Sequence, residues 1–528
     1  MKKQKIIGII HSLAILTICL VLFQANTIPT NEQASFQNTE NIDSVQAFNT
    51  KLLSYYKDIY SNPALQPSSS FSQGHIAGAE LREYLHKTEF GYMIQLPGNT
   101  LVPSPVVYDG KVYLSGGFGS KRYYAFDAPT GEHMVAWDLD DDGPSSAAIH
   151  DDIMVFNTES CTIFALDLKT GEQLWSWWLG DPLMCMPTIS RGRVFAAYPA
   201  GFNSSMDQTL EDRELHDTIK QEYYNLYAGL SHVLAAFDLK TGEILWQRWI
   251  DGDIMSAPVA DGGKIYVTTF AGTLFTFGQS DGELISVNAM RATSAPVITD
   301  DGIYVSKRAD GRGEKVAEEL ARFRQDSYVA DKKYNKKYAP YLDKEVQQGS
   351  EMKSKSMEMD AGNGFTGGAP ASSGWQKAND VVGQSNVSSL QSFQGSRSLH
   401  YMDKNYSTMG NELICTDPES GKKVWEIKLE GQTEVSGGFM GTPPLEAGGY
   451  IVIATYNGTI LVLDAKTGAT VKEYDIENTV RYQPVVDNGW IYVTTTNSQM
   501  FAINTGMKNL TGWPMWGGNA ERTNKSLQ

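Results

Sequence analysis

The acidic run DLDDDG places Asp138, Asp140 and Asp142 at alternate positions ahead of Gly143. With that spacing the first half of a calcium loop turns its carboxylates toward one ion, and the glycine permits the sharp bend. The twelfth position of such a loop is Ile149 rather than a bidentate glutamate. The three aspartates are therefore weak candidate metal ligands, and an acidic connection between strands is the simpler account. In NTESCT (157–162), Glu159 stands beside Ser160. A serine nucleophile needs a base to activate it, and no histidine is near in sequence, so this segment reads as a solvated turn. The 8 histidines are scattered, with no HxH, HxxxH or CxxC pair, so no metal site emerges from them. Outside the N-terminal segment only Cys161, Cys185 and Cys415 remain. An odd, sparse set is not a disulfide framework; buried free thiols fit best, with Cys161 to Cys185 as the bridge to test. No residue is assigned a catalytic role.

Elements that could carry such residues are marked by a recurring phrase: AFDAPTGE (125–132), ALDLKTGE (165–172), AFDLKTGE (236–243), TFGQSDGE (276–283), CTDPESGK (415–422) and VLDAKTGA (462–469), with a shortened AINTG ending at Gly506. Alternating residues make a strand, the aspartate can accept bonds from amides beyond it, and the glycine supplies the left-handed conformation of a tight hairpin. A tryptophan-bearing strand often follows, as in EQLWSWWL, EILWQRWI and KKVWEIKL. About 25 residues before each phrase lies a second one, such as SPVVYDGKVYLSG, APVADGGKIYVTT or QPVVDNGWIYVTT. Proline suits a strand start because it cannot donate to the ladder, and the glycine turn leads into another alternating strand. Each pair of phrases is a four-stranded meander. The spacing of about 40 residues is that of β-propeller blades.

These phrases, a D-x-x-[TS]-G-[EK] turn followed by an apolar tryptophan strand, resemble the PQQ-like repeat family, which includes quinoprotein dehydrogenases and BamB-like envelope proteins. The closing GWPMWGGNAERT is similar to a WPMxGGNxxRT phrase of that family. The resemblance covers about residues 86–518 and implies an all-β propeller of seven or eight four-stranded blades. Eight is the family number. Seven units are clear, and LQSFQGSRSLHYMD (390–403) reads as a degenerate strand pair of another. EFGYMIQLPGN (89–99) reads as an outer strand that closes the ring on the last blade.

The resemblance leaves two functions open. One is a non-catalytic binding scaffold of the cell envelope, BamB-like, whose partners are envelope proteins. The other is a PQQ-dependent quinoprotein dehydrogenase, in which a Glu, an Asn, a catalytic Asp and often a vicinal cysteine pair serve PQQ and calcium. No adjacent cysteines occur here, and no segment lets those ligands be transferred, so no cofactor is assigned. A calcium or glycan binder using the axial face is a third reading. A net charge of -17 over 528 residues argues against a nucleic-acid partner, because such a surface repels phosphates.

The flanks complete the reading. MKKQK followed by the apolar Ile6–Phe23 is an export signal or an uncleaved membrane anchor within 1–25, directing the rest of the chain outside the cytoplasm. In 26–85, a polar linker, Val45, Phe48, Leu52, Tyr56 and Ile59 sit at helical spacing. Insertions occupy 200–231 and 308–410, and 519–528 is a tail. Leu215, Ile219, Tyr223 and Leu226 form a helical stripe in the first insertion; Val316, Leu320 and Phe323 begin one in the second. Phe323, Tyr334, Tyr338 and Tyr341 are the candidate partner-binding residues, since aromatic side chains carry much of the affinity of protein interfaces.

Overall fold

The computed structural model describes residues 84–523, apart from 159–161, 180–184, 200–231, 309–316, 325–329, 339–397 and positions 118, 253, 255, 270, 271, 291, 437 and 438. The basic and apolar N-terminal segment, the stripes at 45–59 and 215–226, Glu159, Ser160, Cys161 and Tyr341 lie outside the described residues.

Eight antiparallel sheets follow one another around a ring. Blades 1 to 7 span residues 106–138, 148–178, 188–250, 259–289, 297–338, 398–428 and 445–475. Blade 8 takes three strands from 485–504, and its fourth is Gly91–Gln95 from the other end of the chain. That strand pairs with Gln499–Asn504, Tyr92 opposite Ala502, as the sequence predicts. Leu85–Lys87 adds a fifth, exposed strand outside it. Among the described residues no helix is long and apolar enough to cross a membrane.

The turn phrase does what its residues suggest. Asp167 Oδ1 accepts the amides of Lys169 and Thr170 at 2.8 and 3.0 Å, and Asp464 does the same for Lys466 and Thr467. The glycine of four of these phrases has a second duty. Gly242 has φ +71°, and a Cβ there would lie 2.6 Å from Trp175 Cγ. Trp175, on the outer strand of blade 2, is docked on the turn of blade 3, its Nε1 donating to the Leu239 carbonyl at 2.9 Å. Trp246 lies likewise against Gly282, Trp425 against Gly468 and Tyr92 against Gly131. The repeated Trp and Gly are thus the two halves of one contact between successive blades.

Two expectations are corrected. The helical stripe at 316–323 is a strand: Ala317–Phe323 and Ala330–Tyr338 are the third and fourth strands of blade 5. Flanked by blades on both sides, the first of these is buried on both faces, with Leu320 and Ala321 fully covered and Arg322 and Glu319 nearly so. Its burial therefore lacks the period of two that marks a one-sided strand. The insertion is accordingly shorter than 308–410, since Ser398–Tyr401 already opens blade 6. The ordered chain also continues past residue 518: Arg522 is 1% exposed.

Candidate functional site

Chain direction reverses at every strand, so each blade presents two kinds of connection on opposite faces of the ring. First-to-second and third-to-fourth strand hairpins share one face, the turn face. Second-to-third hairpins and the links between blades share the other, the loop face. The gap 200–231 joins Arg193–Pro199 to His232–Asp238, the second and third strands of blade 3, and Pro199 pairs with His232 at its base. The gap 339–397 links blade 5 to blade 6. The N-terminal strand runs antiparallel to Gly91–Gln95, with the Tyr84 carbonyl accepting the Gln95 amide at 2.7 Å; the chain before Tyr84 therefore also enters from the loop face. All three long non-repeated segments attach to one face.

The acidic run lies on this face, in the link from blade 1 to blade 2, but its carboxylates do not converge. Asp138 is opposite Arg122 across the ladder and accepts its Nε at 2.6 Å. Asp141, which the calcium spacing passes over, accepts the Thr158 hydroxyl at 2.7 Å and so ties the link to the next hairpin. Asp140 is exposed and Asp142 partly so. Asp251 does in the link to blade 4 what Asp141 does here, accepting the Thr269 hydroxyl at 2.6 Å, and burial pushes its carboxyl up. Among the described residues no three His, Cys, Asp or Glu come together as a metal site.

Of the aromatic candidates, Phe323 is a core residue, 5% exposed and packed with Ile303, Val305 and Ala321 between blades 4 and 5. Tyr334 and Tyr338 stand on the outermost strand of blade 5, in register with Leu320 and Ala317.

The closing phrase of the chain fills the axis. Four carbonyls of this segment accept amides from innermost strands: Trp513 from Val486, Pro514 from Val107, Ala520 from Ile189 and Glu521 from Ala260. Trp516 packs on Met186 and Ala257. Arg522 reaches three carbonyls, Pro187 at 2.7 Å, Trp516 at 3.0 Å and Ala147 at 3.1 Å, and lies 4.6 Å from the Trp516 ring centroid. Burial pushes its guanidinium down to about 9. The segment stitches blades 8, 1, 2, 3 and 4 together. An axis holding an indole and a guanidinium is not the Glu, Asn and Asp set that PQQ and calcium require, so the described residues there do not fit that pair.

A family profile described as outer membrane protein assembly factor BamB, PQQ_2, matches residues 92–198, 228–322 and 394–516. The chain belongs to this family. The PQQ_2 matches break at 199–227 and 323–393, close to the two gaps of the loop face. An outer membrane protein assembly factor BamB from Nitrosomonas eutropha is 30% identical over 92 residues, which is 17% of this chain and 20% of that relative. The match thus spans a fifth of the relative's length. BamB from Moraxella catarrhalis aligns over 80% of this chain and 99% of its own at 13% identity, with a TM-score of 0.47. The computationally designed Ika8 protein aligns over 78% and 98% at 11% identity, with a TM-score of 0.50. At such identities the structural likeness concerns the fold alone.

Proposed function

We propose that this PQQ_2 propeller is a non-catalytic scaffold of the cell envelope whose partners dock on the loop face, in a role of the outer-membrane protein assembly type. The observation that carries this reading is the attachment of three long non-repeated segments, 200–231, 339–397 and the chain before Tyr84, to one face. Blade residues are committed to strands, turns and contacts between blades, so specificity has to come from what is not repeated. Among the described residues the hairpins of the turn face are tight. Membership in a family named for an outer-membrane assembly factor supports the same reading. The basic, then apolar, N-terminus supports export, and a reporter fused at Gln528 should be active only outside the cytoplasm.

A photo-cross-linking amino acid at Glu477 or Asn497, exposed on the loop face, should yield adducts with outer-membrane assembly proteins in intact envelopes. The same probe at Lys169 or Lys466, exposed on the turn face, should yield none. Equal adducts from both faces would remove the claim about the face. Alcohol oxidation by the purified protein supplied with PQQ and calcium would remove the non-catalytic reading and favour the dehydrogenase.

A further inference from the structure

Where blades 2 and 3 meet the axial segment, three buried polar atoms have no hydrogen-bond partner among the described residues: Ser146 Oγ, Asn157 Oδ1 and Trp516 Nε1. Ser146 and Asn157 are 0% exposed and Trp516 is 2% exposed, so bulk solvent does not serve them either. Leaving a polar group buried and unpaired is costly, and folded proteins rarely do it.

The junction varies a device that recurs around the ring. The fifth residue of a second strand bonds a carbonyl in the link to the next blade: Ser115 donates to Pro144, Thr268 to Ser294 and Thr408 to Thr442. Blade 2 uses Asn157 instead, whose Nδ2 donates to the Cys185 carbonyl. A hydroxyl makes this bond with its one polar atom, whereas an amide brings a second, Oδ1, into the seam. Turning the amide over would set Oδ1 against the Cys185 carbonyl, so its orientation is fixed.

Ser146 lies beside Asn157. The Ser145 amide donates to the Asn157 carbonyl at 2.7 Å, and Ser145 Oγ accepts the Asn157 amide at 3.1 Å. After Ser146, the Ala147 carbonyl accepts Arg522 at 3.1 Å. Arg522 also bonds Pro187 at 2.7 Å and lies over the Trp516 ring. Trp516 in turn packs on Met186, the residue after Cys185. The three atoms thus belong to one neighbourhood. The other indole of the axial segment is satisfied, Trp513 donating to Gln483 Oε1 at 3.1 Å.

The chemistry of the three atoms defines what binds them. Trp516 Nε1 can only donate, Asn157 Oδ1 can only accept and Ser146 Oγ can do either. A cation would meet the Arg522 guanidinium, and an anion would meet Asn157 Oδ1. We propose that this junction is a buried water site, in which bound water accepts from Trp516 and bonds Asn157 and Ser146, tying blades 2 and 3 to the axial segment. Buried waters typically make about three such bonds to groups that would otherwise go unpaired.

Variants that each delete one polar atom distinguish bound water from unpaired groups. Asn157→Thr keeps the latch in the form that blades 4 and 6 use and removes Oδ1. Ser146→Ala and Trp516→Phe remove the other two atoms. With water bound, each should raise the unfolding equilibrium constant in urea titration by about fivefold or more. Asn157→Thr combined with Ser146→Ala should cost less than the product of the two effects, because the second deletion finds the water already lost. Unchanged or improved stability in the single variants, or losses in the pair that simply multiply, would overturn the site. A crystal structure gives the direct reading. Water density about 2.5–3.0 Å from both Ser146 Oγ and Asn157 Oδ1, lost in the double variant, supports the proposal; protein atoms alone at that place would overturn it.

Discussion

Trp175 lies against Gly242 so closely that the glycine has no room for a side chain, and its indole Nε1 hydrogen-bonds Leu239 in the same turn. A contact of this kind makes the turn of one blade the receptor for the outer strand of the blade before it. The repeat phrase is thus a statement about neighbours, with its tryptophan and its glycine acting in different seams.

Gly242→Ala should therefore cost more than the strain of a positive φ. Left-handed backbone costs an alanine roughly 1–2 kcal/mol, and overpacking against the indole adds about 1–3 kcal/mol. Gly506 has φ +70° with nothing within 4 Å of its missing Cβ, so Gly506→Ala should show the strain alone. Thermal melts of the two variants should separate them, with Gly242→Ala the lower.

His232 closes the base of the first insertion, and burial pushes its imidazole down to about 3. The unfolded chain then binds a proton that the folded chain refuses between about pH 6.5 and that value. Stability from this group is full above pH 6.5 and declines as pH falls toward 3. Melting temperature measured from pH 7 to pH 4 should fall, and His232→Gln should flatten part of that slope.

Arg522 holds three carbonyls in the axis. Hydrogen bonds to a charged group contribute roughly 1.5–3 kcal/mol each, and the deserted carbonyls would be buried. Arg522→Met should lower the denaturation midpoint by about 3 kcal/mol or more in urea titration, with no change in the far-ultraviolet spectrum of the folded state.

Two deletions in the second insertion should behave differently. Removing 342–394 with a short linker leaves all four strands of blade 5 and the first strand of blade 6 in place and should preserve the melting transition. Removing 312–395 takes Ala317–Phe323 and Ala330–Tyr338 with it and should abolish cooperative folding of the ring. Partner cross-linking with the shorter deletion then tests whether the linker itself binds.

Seven blades were legible because their hairpins need glycine, aspartate and tryptophan for local reasons that one sequence displays. The strand at 89–99 was legible because the last repeat lacked its fourth strand. Blade 5 was not fully legible: the residues after Phe323 lack a glycine turn, and AEELARF is built from helix-favouring residues. Tertiary burial on both faces overrides that preference. The acidic run misled for a related reason, since Asp138 is matched to Arg122 by a ladder partner sixteen positions earlier, which spacing within the run cannot reveal. The axial stitch was visible as a phrase, but its bonds go to strands far away in sequence.

Closing blade 8 with Gly91–Gln95 also imposes an order of events. That strand emerges near the start of the chain, yet its ladder partner Gln499–Asn504 is made almost last. At about 5–20 residues per second, synthesis separates the two by tens of seconds or more. Throughout that interval Tyr92 and Ile94, both buried in the finished ring, belong to an unpaired edge with no native partner yet in existence. The ring can therefore close only at blade 8 and only after the last repeat has been made, so the final step of folding waits for the C-terminus.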